Sequence, residues 1–225
     1  MKLQIYGDSL MKAVVVENNY KYRPLAKGLL ARLQQQTGIE AVNRAHFGYT
    51  SDRGQAVLDR DLQNGLDCQT ALLEFGGNDC DYNWPEVAAD PDGEHVPHTT
   101  LQKFQQNLLS MVSQLRSANI QPVLMTLPPL DAQRYLDFIG HLGSDCSAIL
   151  HWLGDVQMIY RWQELYSNTI VRLADKLDLP LADVRSRFLS RRDYGSLIAC
   201  DGIHLTEAGY ELVFAELGRT LLTVC

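Results

Sequence analysis

The chain has 225 residues, 46% hydrophobic and 21% charged, a globular balance that excludes a disordered, collagen-like or coiled-coil chain. Twenty basic against 27 acidic side chains leave a formal net charge of −7, which argues against nucleic acid and anionic membrane surfaces as partners. The length supports a sizeable core without disulfide or metal staples, and residues 1–225 read as one domain.

In chain order, Leu3–Tyr6 is a short apolar strand. Tyr22–Gln36 follows as a helix, with Leu25, Leu29, Leu30 and Leu33 at helical spacing and Gly38 as its stop. Ile39–Asn43 is a second strand, Arg53–Asn64 a modest helix closed by Gly65, and Thr70–Phe75 a third strand ending in Gly76-Gly77. The next helix begins near Thr99, where Thr99 and Gln102 fit a capping box. Phe104, Leu108, Met111, Val112 and Leu115 form its buried stripe. Gln121–Thr126 is a fourth strand halted by Pro128-Pro129, Tyr160–Leu177 a strong helix, and Leu181–Val184 a fifth strand. Thr206 caps a last helix from Glu207 to about Leu222. This alternation predicts a parallel sheet with helices on both faces. Two segments, Asn78–His98 and Pro128–Ile159, exceed ordinary connections and read as functional loops or surface decoration.

The five cysteines, Cys68, Cys80, Cys146, Cys200 and Cys225, are scattered without a CxxC pair, so free thiols are expected rather than a zinc site or disulfide framework. Taking Met1 as the native start, the sequence runs straight into Gly7-Asp8-Ser9 without an apolar leader. No apolar run approaches membrane-spanning length, so a cytoplasmic location is expected.

In an open parallel sheet, ligands bind beyond the carboxyl ends of the strands. After the first strand comes Gly7-Asp8-Ser9-Leu10, and after the second Asn43 through Thr50, including Gly48. After the third comes Gly76-Gly77-Asn78-Asp79, and before the last helix Asp201-Gly202-Ile203-His204. A serine hydroxyl needs a base, and a His base needs an acceptor on its other ring nitrogen. Asp201 and His204, three apart in one turn, can supply both to Ser9. The Ser9 and Gly48 N–H groups and the Asn78 amide can supply an oxyanion hole. Asp8 and Asp79 are expected to brace loops rather than react.

With these four blocks in order, the chain resembles the SGNH (GDSL) hydrolases, from Gly7 to His204. The resemblance implies a flavodoxin-like three-layer α/β/α sandwich with a five-stranded parallel sheet. It implies esterase, lipase or deacetylase activity with no metal or other cofactor. It makes Ser9 the nucleophile, His204 the base, Asp201 its orienter, and Gly48 and Asn78 the remainder of the oxyanion hole. His46-Phe47 and Leu205 depart from the family pattern, which bears on substrate shape rather than chemistry.

The expected substrate is a small-molecule ester, first a short-chain or acetyl ester, including one on carbohydrate; a lysophospholipid or thioester comes next. Three rivals remain. A metallophosphoesterase would need further metal ligands, and Leu10 stands where one would be. An α/β-hydrolase would need a second glycine that Leu10-Met11 does not provide. A catalytically silent ligand-binding domain has no chemical need for the full set. His95 and His98 lie in a polar loop without a metal-ligand pattern. Trp84 and Trp152 either wall a pocket or pack, and the apolar Pro128–Ile159 segment could roof a pocket, form a homo-oligomer face or pack.

The charge is uneven. From Asp61 to Gln102 there are nine acids and no Lys or Arg, leaving the rest of the chain at +2. Six of the nine fall between Asp79 and Glu94, suggesting either a solubilising loop or an acidic rim that pairs with the basic Arg185–Arg192 segment.

Overall fold

The computed structural model describes residues 1–17 and 20–224; Cys225 lies outside them. In chain order the elements are β1 (Lys2–Tyr6), β2 (Val14–Val16), β3 (Tyr22–Pro24), α1 (Ala26–Thr37), β4 (Glu40–Asn43), α2 (Ser51–Gln63), β5 (Thr70–Leu73), α3 (Trp84–Ala89) and α4 (Leu101–Ser117). There follow β6 (Gln121–Met125), α5 (Ala132–His141), α6 (Cys146–Leu153), α7 (Gln157–Leu177), β7 (Leu181–Ala182), α8 (Val184–Leu189), a short 3₁₀ turn at Tyr194–Leu197 and α9 (Glu207–Val224).

Five of these strands form one parallel sheet in the order β4-β1-β5-β6-β7. Counted among themselves they run 2-1-3-4-5, a doubly wound order whose reversal falls between β1 and β5. Side-chain alternation along each strand feeds two cores. Leu3, Ile5, Leu72, Val123 and Met125 face α1, α8 and α9, through Leu29, Leu33, Phe188, Tyr210, Phe214 and Leu217. Tyr6, Leu73 and Leu124 face α2, α4 and α7, through Leu58, Phe104, Met111, Tyr166 and Ile170. The three-layer sandwich expected from the alternation is what forms.

Among the boundaries that differ from the sequence reading, three have a clear local reason. The first helix starts at Ala26 rather than Tyr22, because Tyr22–Pro24 pairs antiparallel with Val14–Val16. Pro24 also disfavours helical backbone at Arg23. The capping box at Thr99 and Gln102 does not form. Thr99 N–H donates to the Asp79 carbonyl, and the Thr99 carbonyl accepts from Tyr166 Oη, so the helix starts one residue later with Thr100 as its cap. The last strand spans only Leu181–Ala182, because Val184 already begins α8 behind an Asp183 cap. At α9, Thr206 Oγ1 accepts from Gly209 N–H as a cap should.

The two long connections are folded. The first carries α3, and the second carries α5, α6 and the first turn of α7. Trp84, Val87, Tyr135, Phe138, Ile139 and Ile149 join a third buried cluster. Trp152 packs against this cluster, with ring contacts to Tyr82 and Trp162, and donates from Nε1 to the Gly93 carbonyl. Cys68, Cys80, Cys146 and Cys200 are free thiols. Among the described residues no helix is long and apolar enough to cross a membrane.

Gly54 lets α2 approach the end of β5: a Cβ there would lie 2.1 Å from Phe75 Cζ. Phe75 leads directly into the Gly76–Asp79 turn. Gly54→Ala should therefore cost about 1–3 kcal/mol by overpacking. A denaturant midpoint unchanged from wild type would show that Phe75 yields freely.

Candidate active site

The register of β1 on β5 sets Tyr6 level with Leu73, so both strands end together at the point where the strand order reverses. The chain beyond β1 then carries Asp8 and Ser9, and the chain beyond β5 carries Asn78 and Asp79. The loops interlock. Asp8 Oδ1 accepts from Leu10 N–H at 2.8 Å, and Asp8 Oδ2 accepts from Asn78 Nδ2 at 2.7 Å. A carboxylate only accepts, so the Asn78 NH₂ must face Asp8, with its second N–H left for another acceptor. Asp79 accepts from Ser51 N–H and, at 2.6 Å, from Ser51 Oγ, tying the turn to α2. Both aspartates brace loops, as the sequence reading expects.

Asp201 and His204 share the turn entering α9. Asp201 Oδ1 accepts from the N–H groups of Ile203 and His204, and Oδ2 lies 2.6 Å from His204 Nδ1. Since the carboxylate must accept, Nδ1 carries the hydrogen, and neutral His204 presents Nε2 as an acceptor. Nε2 lies 2.9 Å from Ser9 Oγ. Asp201 is fully buried and His204 only 4% exposed. Gly202 permits the turn in two ways. Its φ is +79°, and a Cβ there would lie 2.5 Å from the Asp131 carbonyl oxygen. The Gly202 carbonyl in turn accepts from Asp131 N–H, docking the start of α5 on this turn.

Two cavities meet at Ser9, Asn78 and His204. The inner one, about 70 Å³, is walled by Leu127, Pro128, Leu130, Ile159 and Ile203, with Asp81, Tyr135 and Gln163 among its polar groups. The outer one, about 260 Å³, is walled by Tyr22, Phe47, Trp84, Phe138, Ile139 and Leu142. Phe47 lies nearly parallel to the His204 ring, 5.9 Å away, and Tyr22 meets it edge-on at 5.6 Å. Gly48, at φ +70°, lines neither cavity itself; its neighbour Phe47 does. His46 is exposed and stacks on Tyr49. Of the two tryptophans, only Trp84 lines a cavity.

The basic segment does not pair with the acidic loop within the chain. Arg185 is buried and donates to the Leu127 carbonyl and Gln163 Oε1, while Gln163 Nε2 donates to the Pro128 carbonyl. It thus holds a wall of the inner cavity. Arg187 pairs with Glu216, and Arg191 with Asp193. Of the six acids from Asp79 to Glu94, Asp79 and Asp81 point inward, Asp81 accepting from Tyr135 Oη and Trp84 Nε1. Asp90, Asp92 and Glu94 are exposed and line neither cavity. Asp92 lies against His151.

The cavity walls were largely invisible in the sequence, because Tyr22, Tyr135, Gln163 and Ile203 carry no motif. Glu74, a buried acid in the apolar TALLEF segment, did leave a signal. Among the described residues, no three His, Cys, Asp or Glu side chains gather so as to hold a metal ion.

A family model described as GDSL-like Lipase/Acylhydrolase family matches residues 5–212. A GDSL esterase/lipase of Oryza sativa subsp. japonica is 27% identical over 182 residues, 79% of this chain and 64% of that protein. The isoamyl acetate-hydrolyzing esterase 1 homolog of Homo sapiens is 24% identical over 222 residues, 96% of this chain and 79% of that protein. The crystal structure of a lipase/acylhydrolase from Enterococcus faecalis superposes with a TM-score of 0.70 at 18% identity, covering 99% of this chain and 96% of that one.

Burial pushes Asp8 up to about 6, and the charge of Asp79 adds to it, against hydrogen bonds from Leu10 N–H and Asn78 and the influence of His204. As pH rises from about 4 to about 6, the unfolded chain releases this proton before the folded one does. Asp8 therefore lowers stability progressively across that window. Asp8→Asn should flatten the slope of Tm against pH between 4 and 6; an unchanged slope would mean that Asp8 titrates normally.

Proposed function

The chain belongs to the GDSL-like lipase/acylhydrolase family of ester hydrolases, and from that premise we infer that it is a serine esterase using Ser9, His204 and Asp201. The observation that carries this reading is the continuous relay from Asp201 Oδ2 to His204 Nδ1 at 2.6 Å and from His204 Nε2 to Ser9 Oγ at 2.9 Å.

Ser9 Oγ attacks the ester carbonyl as His204 takes its proton, and buried Asp201 stabilises the imidazolium that forms. The oxyanion is met by the Ser9 and Gly48 N–H groups and by the Asn78 N–H not used on Asp8. His204 then gives its proton to the leaving alcohol, and water repeats the cycle on the acyl-enzyme. Residues 1–225 act as one domain in this reading, since both cores and the third cluster contribute residues around one site.

The two cavities suggest how the ester lies. At roughly 10–15 Å³ per water, the inner cavity of about 70 Å³ holds about five water-sized atoms, enough for an acetyl to butyryl group. The outer cavity is wider and aromatic, and it flanks His204, from which the leaving alcohol takes its proton. We therefore assign the short acyl group to the inner cavity and an apolar alcohol to the outer one. The human relative, an isoamyl acetate-hydrolyzing esterase 1 homolog, is named for an ester of that shape. The aromatic walls also fit the apolar face of an acetylated sugar.

Ser9→Ala and His204→Ala should each lower kcat by about 10⁴-fold or more; retention of most activity in either would sink the relay. Asn78→Ala should cost about 10²–10³ in kcat with little change in KM. In a nitrophenyl ester series from acetate to decanoate, kcat/KM should fall about tenfold or more once the chain outgrows the inner cavity. Ile159→Ala should move that limit to longer chains. A steady rise towards decanoate would instead indicate a lipid or thioester substrate.

A further inference from the structure

Glu74 directly follows β5 and is fully buried, and one of its carboxyl oxygens, Oε1, has no hydrogen-bond partner. The other, Oε2, accepts from Asp8 N–H at 3.1 Å. Gly7 makes the room: a Cβ there would lie 2.7 Å from Glu74 Oε2. The glycine of the first motif is thus matched to an acid 67 positions later. An apolar side chain could fill this space without the desolvation cost of an acid, so packing alone does not account for Glu74.

Two carboxylates this close and this dry cannot both be charged. Burial, and then the charge of Asp8, push Glu74 well above the usual carboxylate range, while Asp8 rises only to about 6. Of the pair, Glu74 is therefore the group that holds a proton more tightly. The ionisable groups around the pair are His204, Asp79, Cys80 and Tyr210. Asp8 in turn holds Asn78 through the 2.7 Å bond to Nδ2.

We propose that Glu74 is a positioning residue for the oxyanion site: its Oε2 accepts from Asp8 N–H, and Asp8 so held orients the Asn78 amide with one N–H towards Asp8 and the other towards the oxyanion. The proposal rests on the reading of Asn78 as an oxyanion donor.

The test is a double-mutant cycle on nitrophenyl acetate hydrolysis. Glu74→Leu should lower kcat about 10–100-fold with KM little changed, the scale of a misplaced catalytic group. Glu74→Gln can still accept from Asp8 N–H, and should restore most of that loss. In the Glu74→Leu background, Asn78→Ala should cost no more than about tenfold, against about 10²–10³ alone. Glu74→Ala replaces Glu74→Leu in the cycle if the latter does not fold by circular dichroism. Additive losses, or a Glu74→Gln variant as impaired as Glu74→Leu, would overturn the proposal while leaving the oxyanion reading intact. An Asn78→Ala variant with unchanged kcat would overturn both.

Discussion

Where β1 pairs with β5, the chain leaves the two strands for opposite faces of the sheet. After β1 it turns towards the face of α1 and α9; after β5 it turns towards the face of α2 and α4. That divergence opens a crevice beyond the strand ends, and the level register of Tyr6 with Leu73 makes the two loops emerge side by side in it. Ser9, Asp8 and Asn78 come together because of this one pairing. A slip of one residue would reverse which side chains face which core, so the hydrophobic pattern that builds the sheet also locates the site.

The other half of the site depends on the long connections. The turn bearing Asp201 and His204 leans on α5, through Asp131 N–H to the Gly202 carbonyl and through Arg134 Nη1 to the Gly195 and Ile198 carbonyls. The wall of the inner cavity is held from behind by buried Arg185 and Gln163, and by Ser167 Oγ, which accepts from Leu127 N–H. These segments bury Trp84, Tyr135 and Phe138 in their own cluster, so the cavity walls are packed structure rather than loose cover. The walls of the two cavities are therefore built largely by elements outside the sandwich.

The site collects acids at a cost. Asp8, Glu74, Asp79 and Asp201 are all buried beside a single histidine. Asp79 and Asp201 recover much of that cost by accepting from backbone and hydroxyl donors, and Asp201 from His204 as well. Asp8 does so through Leu10 N–H and Asn78, and Glu74 is the one left with an unpartnered oxygen. Functional sites are where a fold tolerates such a deficit, because the arrangement of charge there serves the reaction rather than stability.

Local signals carried much of this in the sequence alone. The alternating 2-residue and 3.6-residue periods settled the parallel sheet and its two helical faces. The strand-end blocks around Ser9, Asn78 and Asp201–His204 named residues that lie around one crevice, because motif chemistry and helix entry are short-range properties; Gly48 lines neither cavity. Helix starts were misjudged where a distant partner intervened, as at Tyr22, claimed by Val16, and at Thr99, tied to Asp79 and Tyr166. The supposed acidic rim dissolved because Asp79 and Asp81 turn inward, and the basic segment found its own partners. What the sequence by itself determined was the order of the five sheet strands with the long helices that cover them, and the polar blocks at the strand ends. Only the tertiary structure decided the shape of the two cavities and the meeting of Gly7, Asp8 and Glu74, since contacts across dozens of residues depend on strand register and crossover path, which no local pattern encodes.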